Sequence, residues 1–132
     1  MSDFVRIGGE PKLRAIIDEF VDGCFDDVMI GFLFMRANRD RVKRFEYQHA
    51  AAHLGAEVTY EGRPIRNAHK AHVIFGGHFD RRLTILRNTL RNHDVDTEIE
   101  ERWIAYHQSL RAEVTADPDS NCNDGVRFGT KR

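Results

Sequence analysis

The sequence predicts an all-α domain. Apolar residues recur at three- and four-residue intervals over long stretches, and little period-two alternation occurs anywhere. Each of the three prolines, Pro11, Pro64 and Pro118, punctuates a periodic segment rather than interrupting one. A chain of 132 residues fits one domain, and 41% hydrophobic residues with nine Phe supply a core without staples. With 20 basic and 21 acidic residues, a net charge of −1 argues against a nucleic-acid binder that works by phosphate neutralisation. Two cysteines, Cys24 and Cys122, are too few for a disulfide framework; Cys24 reads as a buried thiol and Cys122 lies in a polar tail. No run approaches a membrane span, and the first residues lack the apolar core of a signal peptide. The expectation is a soluble cytoplasmic protein with no membrane and no nucleic-acid partner, as a monomer or weak dimer.

Gly8-Gly9 ends a short first segment, and Pro11 suits the first turn of the next helix. That helix carries Leu13, Ile16, Ile17, Phe20, Val21, Cys24 and Phe25, an unbroken stripe for one buried face. A short, very apolar stretch, Val28 to Phe34, follows and is wedged against charged Arg39 to Arg41. Asn38 can cap a helix from about Arg39 to Leu54 that ends near Gly55. Its inward face should hold Val42, Phe45, Glu46, His49, Ala50 and His53, so ionisable groups stand where a core helix has Leu or Phe. Two readings remain open: a polar cavity against this face, or a rotated helix whose Glu46 and His53 reach solvent.

Tyr60 to Pro64 reads as a turn-bearing loop and Ile65 to Lys70 as a short helix. Gly76-Gly77 opens a helix with Phe79, Leu83, Leu86 and Leu90 inward and Arg82 intruding on the stripe. A Thr97–Glu100 capping box can start the last helix, which presents Ile99, Trp103, Tyr106, Leu110 and Val114. After Thr115 the chain is polar and aperiodic, so a domain over residues 1–115 and a disordered tail over 116–132 are expected.

Seven histidines are many for this length, although His93 and His107 are expected to face solvent. His69-x-x-His72 has metal-ligand spacing, with His78 six residues on, but neither cysteine is placed to complete a zinc site. One histidine among Phe-rich amphipathic helices also suits haem, which needs an axial imidazole and a large apolar slot.

The order of features resembles the truncated haemoglobins over residues 7 to about 115. Ile7-Gly8-Gly9 is similar to the glycine pair before the second helix, and Glu19-Phe20-Val21 to an aromatic segment within it. Phe34 falls at the aromatic position that packs on the haem plane. Ala52-His53-Leu54-Gly55 with Tyr60-x-Gly62 resembles the end of the distal helix and the second glycine motif. Ala68-His69 sits where the family carries its proximal histidine, and Ile74 with His78-Phe79 matches the start of the next helix. The chain looks closest to the first group, while Ile30-Gly31-x-x-Phe34 and His78-Phe79-x-Arg81 are similar to the third.

The resemblance implies a two-over-two α-helical sandwich, with the helices near 11–27 and 39–54 over the distal face and 79–92 with 97–114 as the other pair. It implies haem b, with His69 binding the iron and His72 the weaker claimant at the haem edge. Phe34, Val42, Phe45, His49, Ile74 and Phe79 would line the cofactor. Arg66, Arg63 and Arg44 are candidate propionate partners. His49 is also a candidate sixth ligand, although its register places it beyond the iron.

The distal side departs from the family pattern. Val21 stands where a ligand-binding tyrosine is usual, Val42 at the near-distal position, Glu46 where glutamine often sits, and Arg82 where Val or Trp is found. Glu46 and Arg82 would either meet at the distal edge, as a catalytic pair able to stabilise an anion or peroxide, or snorkel outward with Arg82 serving a propionate. The expected function is binding of diatomic ligands (O2, NO, CO), with NO dioxygenase or peroxidase-like redox chemistry and an electron-donating reductase as partner. The alternatives are a haem peroxidase-like enzyme using Glu46 and Arg82, and a globin-fold sensor or interaction module without haem.

Overall fold

The structure, a computed structural model, describes residues 1–61 and 76–111. The helices are α1 (Asp3–Arg6), α2 (Gly9–Asp26), α3 (Arg39–His53), α4 (Gly76–Asn92) and α5 (Thr97–Ser109), with a 3-10 turn at Gly31–Phe34. Among the described residues there is no strand. Helix α2 packs on α3 and α4, and α4 packs on α5, which gives the expected two pairs of helices. The loop beyond Glu61, the helix over Ile65 to Lys70, Arg63, Arg66, His69, His72, Ile74, Val114 and the tail 116–132 lie outside the described residues.

The stripe on α2 forms as its spacing dictates. Leu13, Ile16, Ile17, Phe20, Val21 and Cys24 are buried, and each Leu- or Phe-sized side chain so placed contributes roughly 1.5–3 kcal/mol. Gly8 precedes the helix at φ 118°, where a Cβ would also come within 2.9 Å of Lys12 Cβ, so glycine is required there. The helix ends at Asp27, whose carboxylate accepts from the Met29 and Ile30 amides at 2.9 and 3.1 Å. Arg81 of α4 reaches the same carboxylate at 2.7 Å. This guanidinium, with the two amides, holds the Asp27 carboxyl below the usual carboxylate range.

Asn38 caps α3 by accepting from the Arg41 amide at 2.9 Å, and Gly55 ends it at φ 97°. The helix is clamped to α2 by charge. Arg39 reaches Asp22 and Asp26 at 3.0 Å each, and Lys43 reaches Asp22 at 3.0 Å. Only Ala50 and Ala51 of α3 are fully buried.

Helix α4 buries Phe79, Leu83, Leu86 and Leu90 as the spacing predicts. Helix α5 differs from expectation in two ways. Its cap is Asp96, which accepts from the Glu98 amide at 2.9 Å, rather than a Thr97–Glu100 box. Its buried face is Ile99, Glu100, Trp103, Ile104 and His107, with Tyr106 and Leu110 only half-buried. Two cross-helix pairings rotate the face. The Glu100 carboxylate, 4% exposed, accepts from Arg87 at 3.1 Å and Arg91 at 3.3 Å of α4, and Arg82 of the same helix partners His107. His93, expected at the surface, is half-buried and bonds Glu19 at 3.1 Å.

Candidate functional site

The polar face of α3 meets an arginine and a histidine of the opposing pair. Arg82 lies three residues after Phe79 and four before Leu86, so the turn of α4 puts it in the buried stripe. Its Nη2 donates to Glu46 Oε1 at 2.8 Å, with 19% and 24% of the two side chains exposed. The two groups turn toward each other and keep only partial contact with solvent. The guanidinium carbon stands 4.9 Å from the Phe20 ring centroid, which adds a cation–π contact from α2.

The other end of the guanidinium holds His107. Arg82 Nη1 lies 2.9 Å from His107 Nδ1. A guanidinium has no lone pair to offer, so Nδ1 is the acceptor and the ring proton sits on Nε2. His107 is 5% exposed. Burial, with the Arg82 charge beside it, pushes the imidazole well below its ordinary value, so the ring is neutral. This corrects the expectation that His107 faces solvent. Its polarity hid it in the sequence, although it falls four residues after Trp103 and seven after Glu100 on the buried face.

A second polar set borders the first. His49 Nε2 and the Tyr106 hydroxyl share a hydrogen bond of 2.8 Å, and the His53 ring stacks on Tyr106 with centroids 4.2 Å apart. The His49 and His107 rings are 6.3 Å apart. Burial lowers both His49 and His53 from the ordinary histidine value, against a weaker opposing pull on His49 from Glu46. Glu46 is partly exposed but paired with Arg82, and His53 is half-buried against Tyr106.

The remaining candidates are placed as follows. Val42 and Phe45 are half-buried, with Phe45 edge-on to Tyr60 at 6.1 Å and the Arg44 guanidinium 4.9 Å from its ring. Phe34 stacks on Phe25 with centroids 4.8 Å apart. Phe79 is buried. Val21, at the position where a distal tyrosine is usual in the family it resembles, is also buried.

Over residues 2–116 the chain matches the family model of the bacterial-like globins. It belongs to that family. A group 1 truncated hemoglobin of Mycolicibacterium paratuberculosis is 30% identical over 78 residues, 59% of this chain and 57% of the relative. The chain therefore aligns with little more than half the length of that curated relative. Among solved structures, truncated hemoglobin from Tetrahymena pyriformis in its Fe(III) form superposes with a TM-score of 0.79 at 21% identity, covering 87% of this chain and 98% of that one. The 2/2 hemoglobin of Synechococcus, solved in the cyanomet state with covalently attached heme, gives 0.81 at 19% identity over 86% and 98%. A cold-adapted truncated hemoglobin of Pseudoalteromonas haloplanktis gives 0.75 at 16% over 89% and 99%. These likenesses establish the two-over-two fold.

A globin's cofactor is haem with its iron, and the partly open face of α3 suits a large, mostly apolar group. The face of α3 toward α4 and α5 offers Val42, Phe45, Glu46 and His49 half-buried rather than closed into core. Cys24 is a neutral core thiol on α2, pushed up to about 12 by burial. Among the described residues no three of His, Cys, Asp and Glu converge to hold a free metal ion. No helix among them is long and apolar enough to cross a membrane.

Proposed function

We propose that the bound haem takes a diatomic ligand such as O2, NO or CO, with His69 as its iron ligand and Glu46 with Arg82 as the groups that meet the ligand. Bound haem supplies an iron centre that holds such ligands and exchanges electrons. The observation that carries the reading is the 2.8 Å contact between Arg82 and Glu46 inside the helix sandwich. Val42, Phe45 and Phe79 would supply apolar wall to the cofactor, with Phe34 and His49 as further lining candidates; Ile74, Arg66 and His72 are candidates by resemblance and lie outside the described residues. Arg82 presents N–H donors to a polar or anionic ligand, while Val21 offers none. Oxygen stabilisation by a tyrosine at position 21 is therefore not carried over to this site.

A second reading, peroxidase-like turnover, is favoured by one further feature. Glu46 is a carboxylate able to take a proton, and Arg82 is a cation able to stabilise the charge left behind, within hydrogen-bond reach of each other. Turnover of NO or peroxide would need an electron-donating reductase as partner, and a cytoplasmic location accords with such a pairing.

Absorption spectra of ferric, ferrous and CO-bound protein, beside His69→Ala, test the first reading. Purified protein should show a Soret band, and His69→Ala should lose the native coordination. Unaltered haem content and coordination in that variant would refute the ligand assignment. Peroxide turnover in Glu46→Gln and Arg82→Leu tests the second, which falls if neither changes the rate or the ligand affinities.

A further inference from the structure

We infer that His107 is the positioning residue of this site, a neutral imidazole that fixes where the Arg82 guanidinium lies and so sets a preference for small anionic ligands over neutral ones. The inference rests on the distal reading of Arg82 given above and adds what holds that side chain in place.

An arginine on a buried stripe has flexible carbons and five N–H donors, and a single carboxylate does not define its orientation. Here acceptors on two different helices take its two terminal nitrogens. Glu46 of α3 accepts from Nη2 at 2.8 Å, and His107 of α5 accepts from Nη1 at 2.9 Å. The Phe20 ring of α2 covers the guanidinium at 4.9 Å. Three helices therefore fix one planar group, and its remaining donors keep one direction.

The chemistry of the second acceptor matters. A carboxylate at position 107 would neutralise the cation further and weaken its pull on an anion. A lysine or a protonated imidazole would repel it. A neutral imidazole orients the guanidinium without adding charge of either sign. The groups that face His107 favour this form. They are Arg82 from α4, His49 and His53 from α3, and Tyr106 beside it on α5, whose ring centroid is 5.9 Å away. None is an acid. Nothing in the amino-acid pattern of α5 alone calls for a histidine on a buried face, where Leu would pack more cheaply.

The test measures azide and CO affinities of the full haem-loaded chain by optical titration, in wild type, His107→Leu, His107→Asn and Arg82→Leu. His107→Leu should weaken azide about tenfold and leave CO within about twofold, because only the anion uses the directed guanidinium. His107→Asn, whose Oδ1 can stand where Nδ1 stands, should recover most of the loss. In an Arg82→Leu background, His107→Leu should have no further effect on azide. Independently, 15N–1H spectra of the ferrous CO-bound chain and of the haem-free chain should show His107 protonated at Nε2 and not at Nδ1. Proper folding of His107→Asn guards against a failure of His107→Leu to fold.

Equal losses of azide and CO in His107→Leu would overturn the inference, since that is general loosening. Loss of azide in Arg82→Leu with none in either His107 variant would overturn it and leave the distal reading intact. Unchanged azide affinity in Arg82→Leu would refute the distal reading itself and carry the inference with it. A proton found at Nδ1 would also overturn it.

Discussion

Replacing Arg82 by leucine should destabilise the fold even though it puts an apolar residue on an apolar stripe. The substitution removes a charge-assisted hydrogen bond to Glu46, worth about 1.5–3 kcal/mol, and leaves the acceptor of His107 unpaired in a dry site at roughly 1–2 kcal/mol more. It also removes the contact over Phe20, about 0.5–1 kcal/mol. Burying part of a leucine offsets about 1–2 kcal/mol, and water reaches the 24%-exposed Glu46 side chain, which softens its loss. The net is a destabilisation of about 2 kcal/mol, or roughly 5–8 °C in melting temperature for a domain of this size. Urea unfolding of the haem-free chain, followed by far-ultraviolet circular dichroism, keeps haem affinity out of the comparison. The reasoning makes a sharper demand of the pair. Glu46→Leu with Arg82→Leu leaves no unpaired carboxylate and should be more stable than Arg82→Leu alone. Additive losses, with the double variant the least stable of all, would refute the coupling.

Three further outcomes follow from the packing. Leu90→Ala, at a fully buried position between α4 and its neighbours, should cost about 2–5 kcal/mol in urea unfolding. Asn38→Ala removes the side-chain cap of α3 and should cost about 1 kcal/mol, with reduced amide protection confined to the first turn. His49, His53 and His107 all have their protonation lowered in the fold, chiefly by burial, so the unfolded chain binds protons that the folded chain refuses. Their contribution is complete above about pH 6.5 and is lost as pH falls below it. Urea midpoints at pH 7.5 and 5.5 should differ accordingly, and by less in His107→Asn.

Much of the fold is legible in the sequence because α2 and α4 obey one simple rule: a stripe of large apolar residues faces the core. On α3 the rule breaks, and the break itself marks the site, since Glu46 and His49 occupy an inward face that no isolated helix would choose. Helix α5 was harder to read. The set Ile99, Trp103, Tyr106 and Leu110 is a valid helical stripe, but the buried face turns toward Glu100 and His107. Both are polar, and their partners Arg87, Arg91 and Arg82 are on another helix. A pattern read within one segment cannot contain a cost that another segment removes. The cap of α5 lies one residue before the expected Thr97 for a local reason, since both are good capping residues and only the bond from the Glu98 amide to Asp96 separates them.

The four residues of α1 have a consequence for the order in which the chain assembles. The Phe4 amide donates to Leu54 at the end of α3, and Asp3 accepts from Arg102 of α5, a contact that spans 99 positions of sequence. Helix α1 is thus one half of a clasp whose other half lies 99 positions later in the chain. During synthesis it waits unsatisfied while α2 and α3 pair, and it closes only when α5 docks. An N-terminal extension that shields Asp3 would leave the early helices free to form and delay the step that joins the two halves of the sandwich.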